Sequence, residues 1–278
     1  MKPVRVGLVQ MEMSDDTGDN LQRGLEGVKA AARRGAQIVC LPELFAWPYF
    51  PTARDSALVP ERIPGRVSNA LAKVARKAGV VVVGGSIYEA AKGKRFNTCL
   101  VFDRNGRTLS RYRKVHIPQD EHYYEQDYFS RGSEYALART RVGNVGTLIC
   151  FDQWYPEAAR AAKLMGADLI FYPTAIGWVR GIEPVEGDWR EAWEKVQIGH
   201  AVANSVVVCS VNRVGKEGDT TFWGGSFVCD QFGKVLFRAR GEPGVFVVDC
   251  DLDLGRTVED GWGFMRNRKP RTYAALSR

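Results

Sequence analysis

The 278-residue sequence predicts a mixed α/β chain with two sheets and helices on their outer sides. Three observations carry that expectation. Short apolar runs of strand type alternate with stretches whose apolar residues recur at helical spacing. Turn signals at Arg104-Asn105-Gly106-Arg107 and Asp230-Gln231-Phe232-Gly233 add antiparallel hairpins to that alternation. No linker, low-complexity segment or short repeat divides the chain, so one domain over 1–278 is expected.

Val4 to Val9 reads as the first strand. Leu21, Leu25, Val28 and Ala32 follow at steps of four, three and four, one face of a helix that Gly35 stops. Ile38 to Leu41 is the second strand, and a loop rich in proline and aromatics (Trp47 to Pro51) leaves it. Val67, Leu71, Val74 and Ala78 mark a second helix before the buried-type strand Val80 to Val83. Thr98–Asp103 and Thr108–Arg113 flank the Asn-Gly turn. Val145 to Cys150 is a strand leading into a helix with Pro156 in its first turn and Gly166 at its end. Asp168 to Tyr172 is a strand, Trp189 to His200 a helix, and Ser205 to Val211 a strand again. The second hairpin and a strand at Val245–Val248 complete the pattern.

Composition narrows the function class. Apolar residues at 45% and charged residues at 26% are globular usage and exclude a disordered or collagen-like chain. No apolar run reaches the ~18 residues that span a bilayer, and the N-terminus runs into a strand without a secretory h-region. A cytoplasmic protein without a membrane partner is expected. The net charge of +7 is spread along the chain, apart from Arg266, Arg268, Lys269 and Arg271, so nucleic acid is not the expected partner. The six cysteines are widely spaced with no CxxC pair, which favours neither a disulfide framework nor a zinc site. No metal or cofactor is expected.

Three polar residues sit where strands end. Cys150 closes an apolar strand just before a helix start, where a helix N-terminus favours a thiolate and the Phe151 N–H can face a developing oxyanion. Read alone, its spacing favours a buried structural cysteine. Glu43, in Leu41-Pro42-Glu43-Leu44, is either turned outward by its loop or held in a low-dielectric pocket as a general base. Lys114, in Arg113-Lys114-Val115-His116-Ile117-Pro118, is either a surface charge or a cation for an oxyanion. A cysteine–histidine pair would need His116, His122 or His200 beside Cys150, and no spacing places one there.

Together these three blocks resemble the catalytic blocks of the nitrilase (carbon–nitrogen hydrolase) superfamily, in the same order, with the key positions 71 and 36 residues apart. The resemblance covers nearly the whole chain. It implies a four-layer α-β-β-α sandwich and a Glu–Lys–Cys triad falling on Glu43, Lys114 and Cys150. A second family glutamate, which orients the lysine and the substrate, falls on Glu125 in Tyr123-Tyr124-Glu125. The stretches Asp152–Arg160, Phe171–Gly177, Gly199–Asn204 and Asn212–Gly215 are similar to the branch that hydrolyses N-carbamoylputrescine, with departures after Gly177 and at His122.

The resemblance implies a small carbamoyl or amide substrate. Expected around it are Phe151, Asp152, Trp154, Thr174 and Ala175, with the aromatic faces of Trp47, Tyr49 and Trp178. A cationic substrate tail would call on Asp152, Glu183, Glu186 or Asp188, and a carboxylate tail on Arg180. N-carbamoyl amino acids and aliphatic ω-amides are the alternative substrates, and a catalytically silent interaction scaffold is the alternative of another class. Trp262, Phe264 and Met265 before the basic tail suggest a C-terminal arm, about 256–278, packing on a neighbour in a homodimer or larger homo-oligomer.

Overall fold

In the computed structural model, which describes residues 3–182, 185 and 187–277, the strand Val4–Gln10 is buried on both faces. Val6 and Leu8 join one apolar cluster and Val9 another, because successive side chains of a strand point to opposite sides. That division organises the molecule. The strands in chain order are β1 (Val4–Gln10), β2 (Ile38–Cys40), β3 (Val81–Val83), β4 (Ile87–Ala91), β5 (Lys94–Phe102), β6 (Thr108–Arg113), β7 (Leu137–Thr140) and β8 (Gly143–Thr147). They continue as β9 (Leu169–Thr174), β10 (Gly177–Val179), β11 (Val207–Asn212), β12 (Val214–Glu217), β13 (Thr220–Trp223), β14 (Phe227–Cys229), β15 (Val235–Arg238) and β16 (Gly244–Cys250). The helices are α1 (Thr17–Arg33), α2 (Arg66–Ala78), α3 (Pro156–Leu164), α4 (Trp189–Asn204) and α5 (Asp253–Trp262).

The first sheet has the order β16-β1-β2-β3-β5-β4, with β6 also paired to β5. Its centre, β1-β2-β3, is parallel, and α1 and α2 are the two crossovers. The second sheet, β15-β14-β11-β9-β8-β7, repeats the scheme: β8, β9 and β11 are parallel and are joined through α3 and α4. One face of the first sheet (Val6, Leu8, Ile38, Cys40, Val83, Val101) shares a core with the second sheet. Its other face (Val9, Val39, Val82, Leu100) packs under Val28 of α1 and Leu71 of α2. The layers are therefore helix, sheet, sheet, helix, as expected.

α1 lies close on its sheet because Gly27 has no side chain; a Cβ there would stand 2.5 Å from Val9 Cγ1. The Asp16 side chain caps α1 by accepting from the Gly18 and Asp19 N–H groups. Asp188, a candidate for a cationic tail, instead caps α4 through the Arg190 and Glu191 N–H groups. Among the described residues no helix is long and apolar enough to cross a membrane.

Differences from the expectation lie mostly in short polar strands. A third sheet, β10-β13-β12, is unannounced in the sequence because its strands are three or four residues long and carry Lys, Glu and Thr. The strand expected to run to Cys150 stops at Thr147, and residues 150–154 form a 3₁₀ turn.

Candidate active site

Three of the four side chains singled out, Glu43, Lys114 and Cys150, follow the ends of sheet strands, and Glu125 lies in the loop between β6 and β7. Glu43 stands three residues beyond β2, and its N–H donates to Thr174 O at the end of β9 (3.4 Å). Lys114 directly follows β6, its N–H still bonded to Asn97 O of β5 (2.9 Å). Cys150 opens the 3₁₀ turn after β8, and Glu125 opens another at Glu125–Asp127. Cys150 has φ +43°, and Leu44, beside Glu43, has φ +48°. Left-handed backbone at residues with side chains is disfavoured, and it occurs here next to both the thiol and the carboxylate.

Glu43, Lys114 and Glu125 are fully buried and bonded to one another. Lys114 Nζ donates to Glu43 Oε1 (2.9 Å) and to both oxygens of Glu125 (2.9 and 2.8 Å). Asn97 Nδ2 donates to Glu43 Oε1 (2.7 Å), and the Tyr49 hydroxyl donates to Glu125 Oε1 (2.7 Å). Every carboxylate oxygen of the cluster is thus engaged except Glu43 Oε2, which is buried with no partner. A buried ionised ammonium is stable only when so paired, and the unpaired oxygen is the one free to take a proton.

The electrostatics follow from two carboxylates around one ammonium in a dry site. Burial draws the Lys114 ammonium toward deprotonation, but the Glu125 and Glu43 charges outweigh it and hold the group well above the usual lysine range. Burial, with the Glu43 charge added and Lys114 opposing, pushes Glu125 up to about 7. The Cys150 thiol is pushed well up, first by burial and then by Glu43, against the pull of Lys114. Its resting form is therefore the thiol, with Sγ 3.8 Å from Ala175 O, and it needs a base to react.

Cys150 and Glu125 open into a cavity of about 440 Å³. Trp154, Ile176, Val179, Ile182, Trp189 and Ala192 form apolar walls, and Phe151, Gln153 and Tyr123 also line the space. Asp120 and Glu121 are exposed lining residues, and the described lining contains no Lys or Arg. Of the residues expected around a substrate, Phe151 and Trp154 line this space.

Most of the other residues expected around a substrate are engaged with partners inside the protein. Asp152 lies beneath the nucleophile turn with no exposure. Its Oδ2 accepts from Ile149 N–H (2.9 Å) and the Tyr112 hydroxyl (2.6 Å), and its Oδ1 accepts from His116 N–H (3.0 Å) and lies 2.7 Å from His116 Nδ1. It ties the Cys150 turn to the segment on either side of Lys114. Tyr49 is held on Glu125, and Trp47 is buried with its carbonyl facing Arg213. The Thr174 hydroxyl donates to Tyr172 O, and Ala175 contributes its carbonyl beside Sγ. Trp178 stacks on Trp189 and meets Trp223 at a tilt, and Arg180 pairs with Asp219 at the surface (2.5 Å). Glu183 and Glu186 lie outside the described residues.

Sequence reasoning missed Tyr123, Val179, Ile182, Trp189 and Ala192, which reach the cavity from a loop, a three-residue strand and the first turn of α4. The step of three from Trp189 to Ala192 is the one available signal. His116 stacks on Tyr155 at 3.6 Å, and His200 Nε2 lies 2.8 Å from Gln153 O, so both are engaged away from Sγ. Among the described residues no group of three or more His, Cys, Asp or Glu is arranged to hold a metal ion.

The carbon–nitrogen hydrolase family profile matches residues 5–260. The N-carbamoylputrescine amidase of Solanum lycopersicum is 36% identical over 98% of this chain and 94% of its own length. The citrullinase of Francisella tularensis is 32% identical over 100% of this chain and 99% of its own. A crystal structure of a carbon–nitrogen hydrolase from Helicobacter pylori G27 superposes with a TM-score of 0.93 at 32% identity, covering 99% of this chain and 98% of that one.

Proposed function

The chain belongs to the carbon–nitrogen hydrolase family and is an amide-hydrolysing enzyme, and we propose that it cleaves the terminal ureido group of a carbamoylated alkyl amine such as N-carbamoylputrescine. The observation that carries the chemistry is Glu43 Oε2, the single unpartnered carboxylate oxygen in a cluster that otherwise saturates Lys114.

In this reading Glu43 takes the proton of the Cys150 thiol as the sulfur attacks the carbonyl carbon and a C–S bond forms. The Lys114 ammonium and the Phe151 N–H stabilise the oxyanion. The intermediate collapses as Glu43 returns the proton to the leaving nitrogen, the C–N bond breaks and ammonia departs. Water, deprotonated by Glu43, then attacks the carbamoyl-thioenzyme; the C–S bond breaks and the sulfur recovers its proton. The released carbamate separates into amine and carbon dioxide, so one ureido group and one water give one amine, one ammonia and one carbon dioxide. Glu125, fixed by the Tyr49 hydroxyl, keeps Lys114 charged and in place.

Substrate choice rests on the cavity lining. Trp154, Ile176, Val179 and Ile182 suit an aliphatic chain, and Asp120 and Glu121 suit a cation at its far end. A substrate carrying only a carboxylate would meet acids where it needs an arginine fork.

The test is ammonia release from N-carbamoylputrescine, citrulline, N-carbamoyl-β-alanine, an aliphatic ω-amide and a neutral N-carbamoylalkylamine. Carbamoylputrescine is expected to have the highest kcat/KM, and Asp120→Asn with Glu121→Gln to raise its KM but not that of the neutral analogue. Preference for the carboxylate substrates overturns the substrate assignment; turnover by purified Cys150→Ala overturns the nucleophile.

A further inference from the structure

Arg213, between β11 and β12, is a fully buried arginine whose guanidinium faces backbone oxygens. Its Nη2 donates to Glu43 O (2.7 Å), Leu44 O (3.2 Å) and Trp47 O (3.4 Å), and its Nη1 reaches Trp47 O and Glu217 Oε1 (3.4 and 2.7 Å). Three carbonyls from one short loop converge on one cation. The loop turns them inward through the left-handed Leu44, a conformation that a side-chain-bearing residue keeps only when its surroundings hold it. The guanidinium is that hold, and its planar fork suits several acceptors at fixed angles.

Glu217, at the end of β12, is the counter-charge and does a second thing. Its Oε2 accepts the Tyr49 N–H (2.6 Å), while the Tyr49 hydroxyl donates to Glu125. The pair therefore reaches the Lys114 cluster from two sides, through the backbone of Glu43 and through the side chain of Tyr49. The rings of Phe222 and Tyr49 lie 5.2 and 5.6 Å from the guanidinium carbon and keep water from it. Neither Arg213 nor Glu217 lines the cavity that holds Cys150.

We propose that Arg213 and Glu217 are positioning residues for the hydrolysis, fixing Glu43 through its backbone and Glu125 through Tyr49. This rests on Glu43 being the base. A pair that aims the base without touching substrate changes kcat and leaves KM alone. It also changes how readily the Cys150 thiol loses its proton, which a residue that only adds stability does not.

The experiment compares Glu217→Ala, Glu217→Gln and Arg213→Lys in the full chain by steady-state ammonia release, circular-dichroism melting and the rate of iodoacetamide alkylation at Cys150. Glu217→Ala is expected to stay folded at assay temperature and lose about 10- to 100-fold in kcat, the scale of an ångström-level misplacement, with KM within about threefold. Alkylation is expected to slow in parallel. Gln, with one acceptor oxygen for two donors, falls between Ala and the native protein, and Arg213→Lys, which loses the fork, behaves like Ala. Native kcat or native alkylation in a folded variant overturns the proposal, and so does loss of the fold in all three, which assigns the pair to stability alone. Failure of the underlying reading is distinguished by Cys150→Ala, whose turnover would remove the thiol from the reaction whatever the pair does.

Discussion

Asp152→Asn probes the link between the nucleophile turn and the lysine segment, and its cost can be worked from the four donors around the carboxylate. Asparagine keeps one acceptor oxygen and puts an amide NH₂ in place of the other. With the NH₂ at Oδ2 it faces Ile149 N–H and the Tyr112 hydroxyl; the hydroxyl can turn and accept, but the N–H cannot. With the NH₂ at Oδ1 it faces His116 N–H and Nδ1; the ring can change tautomer, but again the N–H cannot. Either way one backbone N–H in a site with no solvent loses its partner, at about 1–3 kcal/mol, and the surviving bonds lose charge assistance worth about 1 kcal/mol more. The expected destabilisation is about 2–4 kcal/mol, a fall in Tm of roughly 3–7 °C for a chain of this size. Because Cys150 and Lys114 both hang on this carboxylate, kcat should fall about tenfold or more in the protein that remains folded. Circular-dichroism melting and ammonia release read the two effects. An Asn variant melting within 1 °C of native and turning over within twofold of it, values set by assay error at about that level, would refute the linkage.

Other outcomes follow from the same site. Glu125 titrates at about 7, so kcat/KM should fall as pH drops through that value, an apparent constant belonging to the whole cluster. For stability the sign is opposite: the folded chain holds this proton between the ordinary 4.5 and about 7 while the unfolded chain does not. The group's stabilising contribution is present below 4.5 and lost as pH rises through 7, measurable as a denaturant midpoint against pH. Tyr49→Phe removes a bond that lowers the Glu125 value, so the acid limb of the pH profile should move upward; an unmoved limb would detach Tyr49 from Glu125. Gly85→Ala places a Cβ 2.2 Å from Pro42 O at φ +58°, beneath the loop of Glu43, and should lower both Tm and turnover. Gly79→Ala, at φ +67° with nothing within 4 Å, should cost only about 1–2 kcal/mol of backbone strain and leave turnover native.

What was readable in the sequence is what local physics and block order carry. The short apolar run of β1 and the 3.6-residue apolar period of α1 and α2 locate these elements without knowledge of their partners. The Asn-Gly turn announces β5 and β6 for the same reason, since only residues tolerating positive φ make that turn. Glu43, Lys114 and Cys150 stand out because each sits where a strand ends, where a charge or thiol is costly unless used, and Glu125 stands out only through the family resemblance.

Which oxygen or ring faces which is another matter. Asp152 follows Cys150 by two and looks like a ligand residue, yet the 3₁₀ turn rotates it inward onto Tyr112 and His116, remote in the chain. Arg180 looks like an anion fork until the hairpin opposite brings Asp219 to it. Arg213 lies in a family-like stretch but has no role readable in the sequence, and only the packing of β12 against the Glu43 loop gives it three carbonyls to hold. Residue type and spacing thus determined the elements and the layer scheme, and the order of the family-like blocks picked out the four reactive candidates. The direction of each side chain, and hence who lines the cavity and who braces it, was decided by contacts between segments scores of residues apart, which no local pattern encodes.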